Sequence, residues 1–154
     1  MGYYVNITGG EVRIPKENLA EAYRLMCELN QRDDLKNGGS WGGENDSRSP
    51  RPAGLDYHPG KWFSWMDANY PATCADAKAV LTAVGFDLME DGDGTLVVWG
   101  YDNKTGQEEL FMNSIAHLCA EGSFHEWRGE DGAMWRHEYG PKGAVTKTAT
   151  IVWQ

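Results

Sequence analysis

The 154-residue chain contains no Cys-x-x-Cys pair, phosphate-binding glycine loop or dinucleotide fingerprint, and no nucleophile elbow or His-Glu-x-x-His helix. Each of those spacings presents a particular chemistry, so their absence takes away the motif-based case for cysteine-zinc sites, nucleotide hydrolysis, hydride transfer, acyl transfer and zinc proteolysis. Apolar runs are short, far below the ~20 residues that a membrane-spanning helix requires. Basic residues are also scarce. Fourteen Lys and Arg stand against 23 Asp and Glu, a net charge of −9. Phosphate contact depends on clustered cations, so direct binding to nucleic acid or to an anionic membrane is disfavoured.

Only three cysteines occur, Cys27, Cys74 and Cys119, far apart and all in segments that read as helical. They are expected to be buried free thiols in a reducing compartment. The opening stretch MGYYVNITGG has neither a basic region nor an apolar core of the secretory type, which points to a cytoplasmic protein. Length and a 41% hydrophobic fraction suit a single domain spanning residues 1–154.

The patterning predicts an α+β fold, with about three helices packed on a mostly antiparallel sheet of seven or eight strands. Val5, Ile7, Val12 and Ile14 flank Gly9-Gly10, as in a tight hairpin. After Pro15, the residues Leu19, Ala22, Tyr23, Met26 and Leu29 recur at helical spacing, with an end expected near Asn30. KWFSWMD reads as a short aromatic strand. Thr73 and Asp76 read as a capping box for a helix that stops at Gly85. FDLM and TLVVWGY form a second hairpin. Thr105 and Glu108 open a third helix, with Phe111, Ile115, Leu118 and Cys119 facing inward and Gly122 closing it. The last strand is expected to run almost to Gln154, an apolar edge that could recruit a second copy as a homodimer.

Within GSFHEWRGEDGAMWRHEY the register can be worked out. A three-residue loop, Glu130-Asp131-Gly132, pairs Trp127 with Trp135, Glu126 with Arg136 and His125 with His137. One face then carries the aromatics and histidines, the other a salt bridge. Loops of two or four residues mix the faces, so side-chain segregation selects three.

Residues 31–60 form the outlier. Gly, Ser, Asp and Pro dominate them, no periodicity is present, and a loop of this length is uncommon unless it is functional or disordered. Trp41, set among glycines, is the leading partner-binding candidate, followed by Tyr57 and Trp62. Facing histidines, His125 and His137, could instead hold a metal, with His58 or a carboxylate completing the site, as in a small metal-assisted hydrolase or nuclease. EDGDG (90–94) opens like a calcium loop, but Leu96 stands where that loop needs glycine, so a polar turn explains it. Arg48, Arg51, Lys61 and Trp62 approach a basic–aromatic patch, yet Glu44, Asp46 and Asp56 interrupt it.

The strand Gly2–Val5, the Ile14-Pro15 helix entry and the Gly122–Arg136 block resemble small uncharacterised accessory proteins of actinobacterial phages and their hosts. The resemblance implies no activity and no catalytic residues. The resulting expectation is a non-enzymatic acidic binding protein of the host-interaction type, engaging a protein of host or phage, with no cofactor. A DNA mimic is a further alternative, should the carboxylates line one face.

Overall fold

The computed structural model describes residues 2–154 and shows the expected α+β fold: a mostly antiparallel seven-stranded sheet with four α-helices packed on it. The sheet strands are β1 (Tyr4–Gly9), β2 (Val12–Ile14), β5 (Phe86–Glu90), β6 (Leu96–Lys104), β7 (Ser123–Gly129), β8 (Met134–Gly140) and β9 (Gly143–Thr148). Two further two-residue strands, β3 (Gly38–Gly39) and β4 (Lys61–Trp62), pair separately. The helices are α1 (Leu19–Glu28), α2 (Tyr70–Thr73), α3 (Ala77–Val84) and α4 (Glu108–Ser114).

The expected N-terminal hairpin does not form. Both β1 and β2 lie end to end along the same side of β6, with Tyr4 opposite Lys104 and Val12 opposite Val98. They are two halves of one bent strand. Its other edge pairs with β7, through Val5–Gly129 and Ile7–Trp127, and the register slips between Ile7 and Gly9. Gly10 takes a φ of +82°, and a side chain there would run into the Phe124 carbonyl. Gly9-Gly10 is therefore a kink in the middle of the sheet. The spatial order is β5–β6–β1/β2–β7–β8–β9. A nine-residue β6 and a seven-residue β7 satisfy both edges of this strand, more hydrogen bonds than three-residue β2 could offer β1 alone.

The β7–β8 hairpin matches expectation pair for pair: Trp127–Trp135, Glu126–Arg136 and His125–His137 face each other. Gly132 has a φ of +89°, and Gly129 N–H donates to the Ala133 carbonyl at 2.8 Å across the loop. The loop is also tied to the start of β1, by Tyr3 Oη donating to Asp131 and Tyr4 N–H donating to Glu130 at 3.0 Å.

Several boundaries differ from the pattern. α1 is extended by 3-10 turns at Lys16–Asn18 and Leu29–Gln31, close to the expected span. KWFSWMD contributes only Lys61–Trp62 to a strand, because Ser64 at φ +48° turns the chain. Asp76 by itself caps α3, accepting from Ala79 N–H at 2.8 Å, while Thr73 belongs to the preceding turn. Gly85 ends α3 as expected, at φ +123°. Glu108 accepts from Thr105 Oγ1 at 2.5 Å and from Gly106 N–H at 2.7 Å, so one carboxylate organises the entry to α4. That helix gives way to a 3-10 turn, Ala116–Leu118. Gly122 instead serves the tight turn into β7, where Ser123 N–H reaches Ala120 O. Of the three free thiols only Cys27 is helical; Cys74 and Cys119 follow helix ends in extended backbone. The last strand stops at Thr148, and Ile151, Val152 and Trp153 are exposed, so the C-terminus is not held in the sheet.

Helices α1, α3 and α4 contact one another and cover one face of the sheet. The core beneath them holds Ile14, Met26, Phe63, Tyr70, Leu81 and Phe111 among others. Among the described residues, no helix is long and apolar enough to cross a membrane.

Candidate functional site

The 31–60 segment is an ordered loop. Its ends are clipped by the β3–β4 pairing, Gly38 with Trp62 and Gly39 with Lys61. Two ionic knots and one buried histidine replace the apolar core that the segment lacks. Asp33 accepts from Lys36 Nζ at 2.8 Å and from Arg51 Nη2 at 3.0 Å. Lys36 is wholly buried at its side chain and also donates to Asn30 O at 2.9 Å. His58 packs inside the loop, with Nε2 2.7 Å from Ser49 O and Nδ1 accepting from Gly60 N–H at 3.0 Å. Asp46 is the third anchor. Its carboxylate receives Gly42 N–H at 2.6 Å, Arg48 N–H at 2.8 Å and the Arg48 guanidinium at 2.6 and 2.9 Å. The Arg48 guanidinium, followed by the two backbone N–H groups, pulls the Asp46 carboxyl well below the usual range.

This scaffold presents Trp41. Its side chain is 77% exposed, and Arg48 lies 4.6 Å over its ring while bonded to Asp46. A cation over an indole face is an attractive geometry that holds the ring's orientation. The arrangement is a pre-set aromatic platform: one ring face is taken by Arg48. Gly42 and Gly43 follow at φ +80° and +76°, a left-handed pair that turns the chain. The other two sequence candidates sit differently. Trp62 is half-buried at the base of the loop, where it covers Gly38, and Tyr57 is half-buried as well. Asp46, the residue that fixes Arg48, was legible only as an interruption of positive charge, since its anchoring role depends on backbone N–H groups that the fold brings to it. The same contacts commit Arg48 and Arg51 to internal carboxylates.

The histidine pair lies elsewhere, under the sheet. His125 has no exposed surface and its Nε2 is 2.8 Å from Val98 O. Burial pushes its pKa down to about 4 and likewise lowers that of His137. His137 Nε2 is 3.8 Å from Glu109 Oε1, beyond hydrogen-bond reach. Trp127 and Tyr139 pack around both imidazoles, edge-on except for a tilted Trp127–His137 contact. His125 Nδ1, His137 Nδ1, Trp127 Nε1 and Tyr139 Oη find no partner among the described residues. His58 belongs to the loop, and among the described residues no group of three His, Cys, Asp or Glu is placed to hold a metal. Two neutral imidazoles in an aromatic core chiefly pack.

No protein-family model, curated protein or solved structure matches the chain.

Proposed function

We propose that the chain is a non-enzymatic acidic binding protein, a phage-type accessory protein acting in the host cytoplasm, that engages a protein partner through the Trp41 loop. The observation that carries this reading is a large aromatic left mostly exposed on a loop held still by two ionic anchors and a buried histidine. Ordering a loop costs roughly 1–2 kcal/mol per residue, and a platform ordered in advance avoids that cost at the moment of binding. Exposed aromatics set beside an arginine are the residue types that dominate interface energetics. The net charge of −9 suits a partner with a basic surface, steering encounter and selecting against acidic competitors.

The test is an affinity capture from host lysate with the wild-type chain and Trp41→Ala side by side, followed by titration of the recovered partner. A partner retained by wild type and lost by Trp41→Ala, with thermal midpoints unchanged, supports the reading. Identical partner lists from the two chains would remove the loop from the mechanism.

A further inference from the structure

The open face of the sheet carries a second tryptophan whose exposure the core does not explain. In the stretch Val97-Val98-Trp99-Gly100-Tyr101, the flanking residues are all buried, while Trp99 is 49% exposed. The cause is a bulge. Asp87 pairs with Gly100 and Leu88 with Val98, so Trp99 is the extra residue and turns out onto the open face. The β1–β7 ladder slips too, between Ile7 and Gly9. The two irregularities hollow the open face into a groove of about 330 Å³ lined by Asn6, Thr8, Asp87, Trp99, Gly100 and Asp102, among others.

The charged side chains that line this groove have one sign. Asp87 and Asp102 make no ion pair among the described residues, and no Lys, Arg or His lines the groove. Six arginines elsewhere, at positions 13, 24, 32, 48, 51 and 136, are all paired with carboxylates. Two cations flank the groove, one on β7 and one on β6. Arg128 stands opposite Asn6, and Lys104 lies two residues beyond Asp102 with its stem against Gly2; neither bridges to Asp87 or Asp102. An indole face is negative, and so are its two carboxylate neighbours, so the lining itself favours a cation over phosphates and other anions. A neutral ligand would leave both charges uncompensated.

The molecule already contains a completed version of this arrangement. At Trp41, a guanidinium stacks on the indole while bonded to the Asp46 carboxylate. Around Trp99 the indole and the carboxylates are present, and the guanidinium is the missing part. We propose that the Trp99 groove receives an arginine side chain from a basic segment of a partner protein, its planar cation stacked on Trp99 and bonded to Asp87 or Asp102. This surface is separate from the Trp41 loop and does not depend on it.

The experiment is a titration of the full ¹⁵N-labelled chain with a hexa-arginine peptide at physiological ionic strength, followed through the indole N–H of Trp99 and the amides of Asp87 and Asp102. A saturable shift at these groups is expected, with the dissociation constant raised about tenfold or more in Trp99→Ala and in Asp87→Asn/Asp102→Asn. Trp41→Ala should leave the titration unchanged, which separates this site from the proposed loop function. Three results would overturn the proposal. One is a shift spread over the acidic surface that survives both variants. Another is an equal response of Trp99 to the neutral sugar cellohexaose, marking a carbohydrate site. The last is no saturable shift at all.

Discussion

Two stretches of this chain carry glycine between apolar strand residues, and they fold in opposite ways. Around Gly132 the chain reverses into a hairpin. Around Gly9-Gly10 it carries straight on, kinked, through the middle of a sheet. Both Gly132 and Gly10 have positive φ, so backbone conformation alone does not distinguish them. What differs is the surroundings. Space around the Gly132 α-carbon is open, whereas that of Gly10 faces the Phe124 carbonyl and ring. A turn at the surface is decided by its own residues; a kink in the sheet is decided by what lies on either side.

The largest expected effect tests the core that both stretches share. Trp127 pairs with Trp135 within the hairpin and with Ile7 of the kinked strand, and is buried, with its ring parallel to that of Trp135. Trp127→Ala should cost about 3–5 kcal/mol in urea unfolding. Trp135→Ala should cost clearly less, because that ring is half-buried. Equal losses would mean that the two strands contribute alike.

Gly10→Ala should follow, at about 2–5 kcal/mol, since a side chain at positive φ is strained and here also collides with backbone. A loss below about 1 kcal/mol would show that the kink relaxes freely.

The buried histidine gives a pH signature of the hairpin. Its ordinary value of 6.5 falls to about 4 in the folded state, so the unfolded chain binds the additional proton between those limits. Stability from His125 is complete above pH 6.5 and is lost as pH falls toward 4, by about 3 kcal/mol. His137 acts in the same direction. Denaturant melts at pH 7 and pH 4.5 should show this loss, reduced in His125→Gln; an unchanged pH slope in that variant would assign the loss to other groups.

Gly132→Ala is expected to cost only about 1 kcal/mol, from backbone strain without a clash. A result equal to that for Gly10→Ala would erase the distinction between turn and kink. Smallest of all, Trp41→Ala should shift stability by less than about 0.5 kcal/mol, because the ring is exposed and Asp46 holds the loop through other atoms. A large loss would make Trp41 a structural residue.

The site was partly legible. Trp41 stood out because a large aromatic among glycines has no helical or strand partner nearby. Asp46 and Trp99 did not. The first acts through backbone amides gathered by the loop, and the second is turned outward only by a bulge whose register is set against β5. The C-terminal strand was read too long for a similar reason: β-propensity favours TATIVWQ throughout, but β8 offers partners only as far as its own loop.

By itself the sequence determined the α+β class, the α1 stripe, the Gly85 end of α3, and the whole register of the β7–β8 hairpin. In each, the deciding interactions lie within about twenty residues, where periodicity, capping and turn chemistry act. The tertiary structure alone decided that β1 and β2 are one strand, that the 31–60 loop is ordered, and that Trp99 faces outward. Those outcomes rest on competition among strands and charges up to about a hundred residues apart, and hydrogen-bonding edges go to whichever partner satisfies most of them.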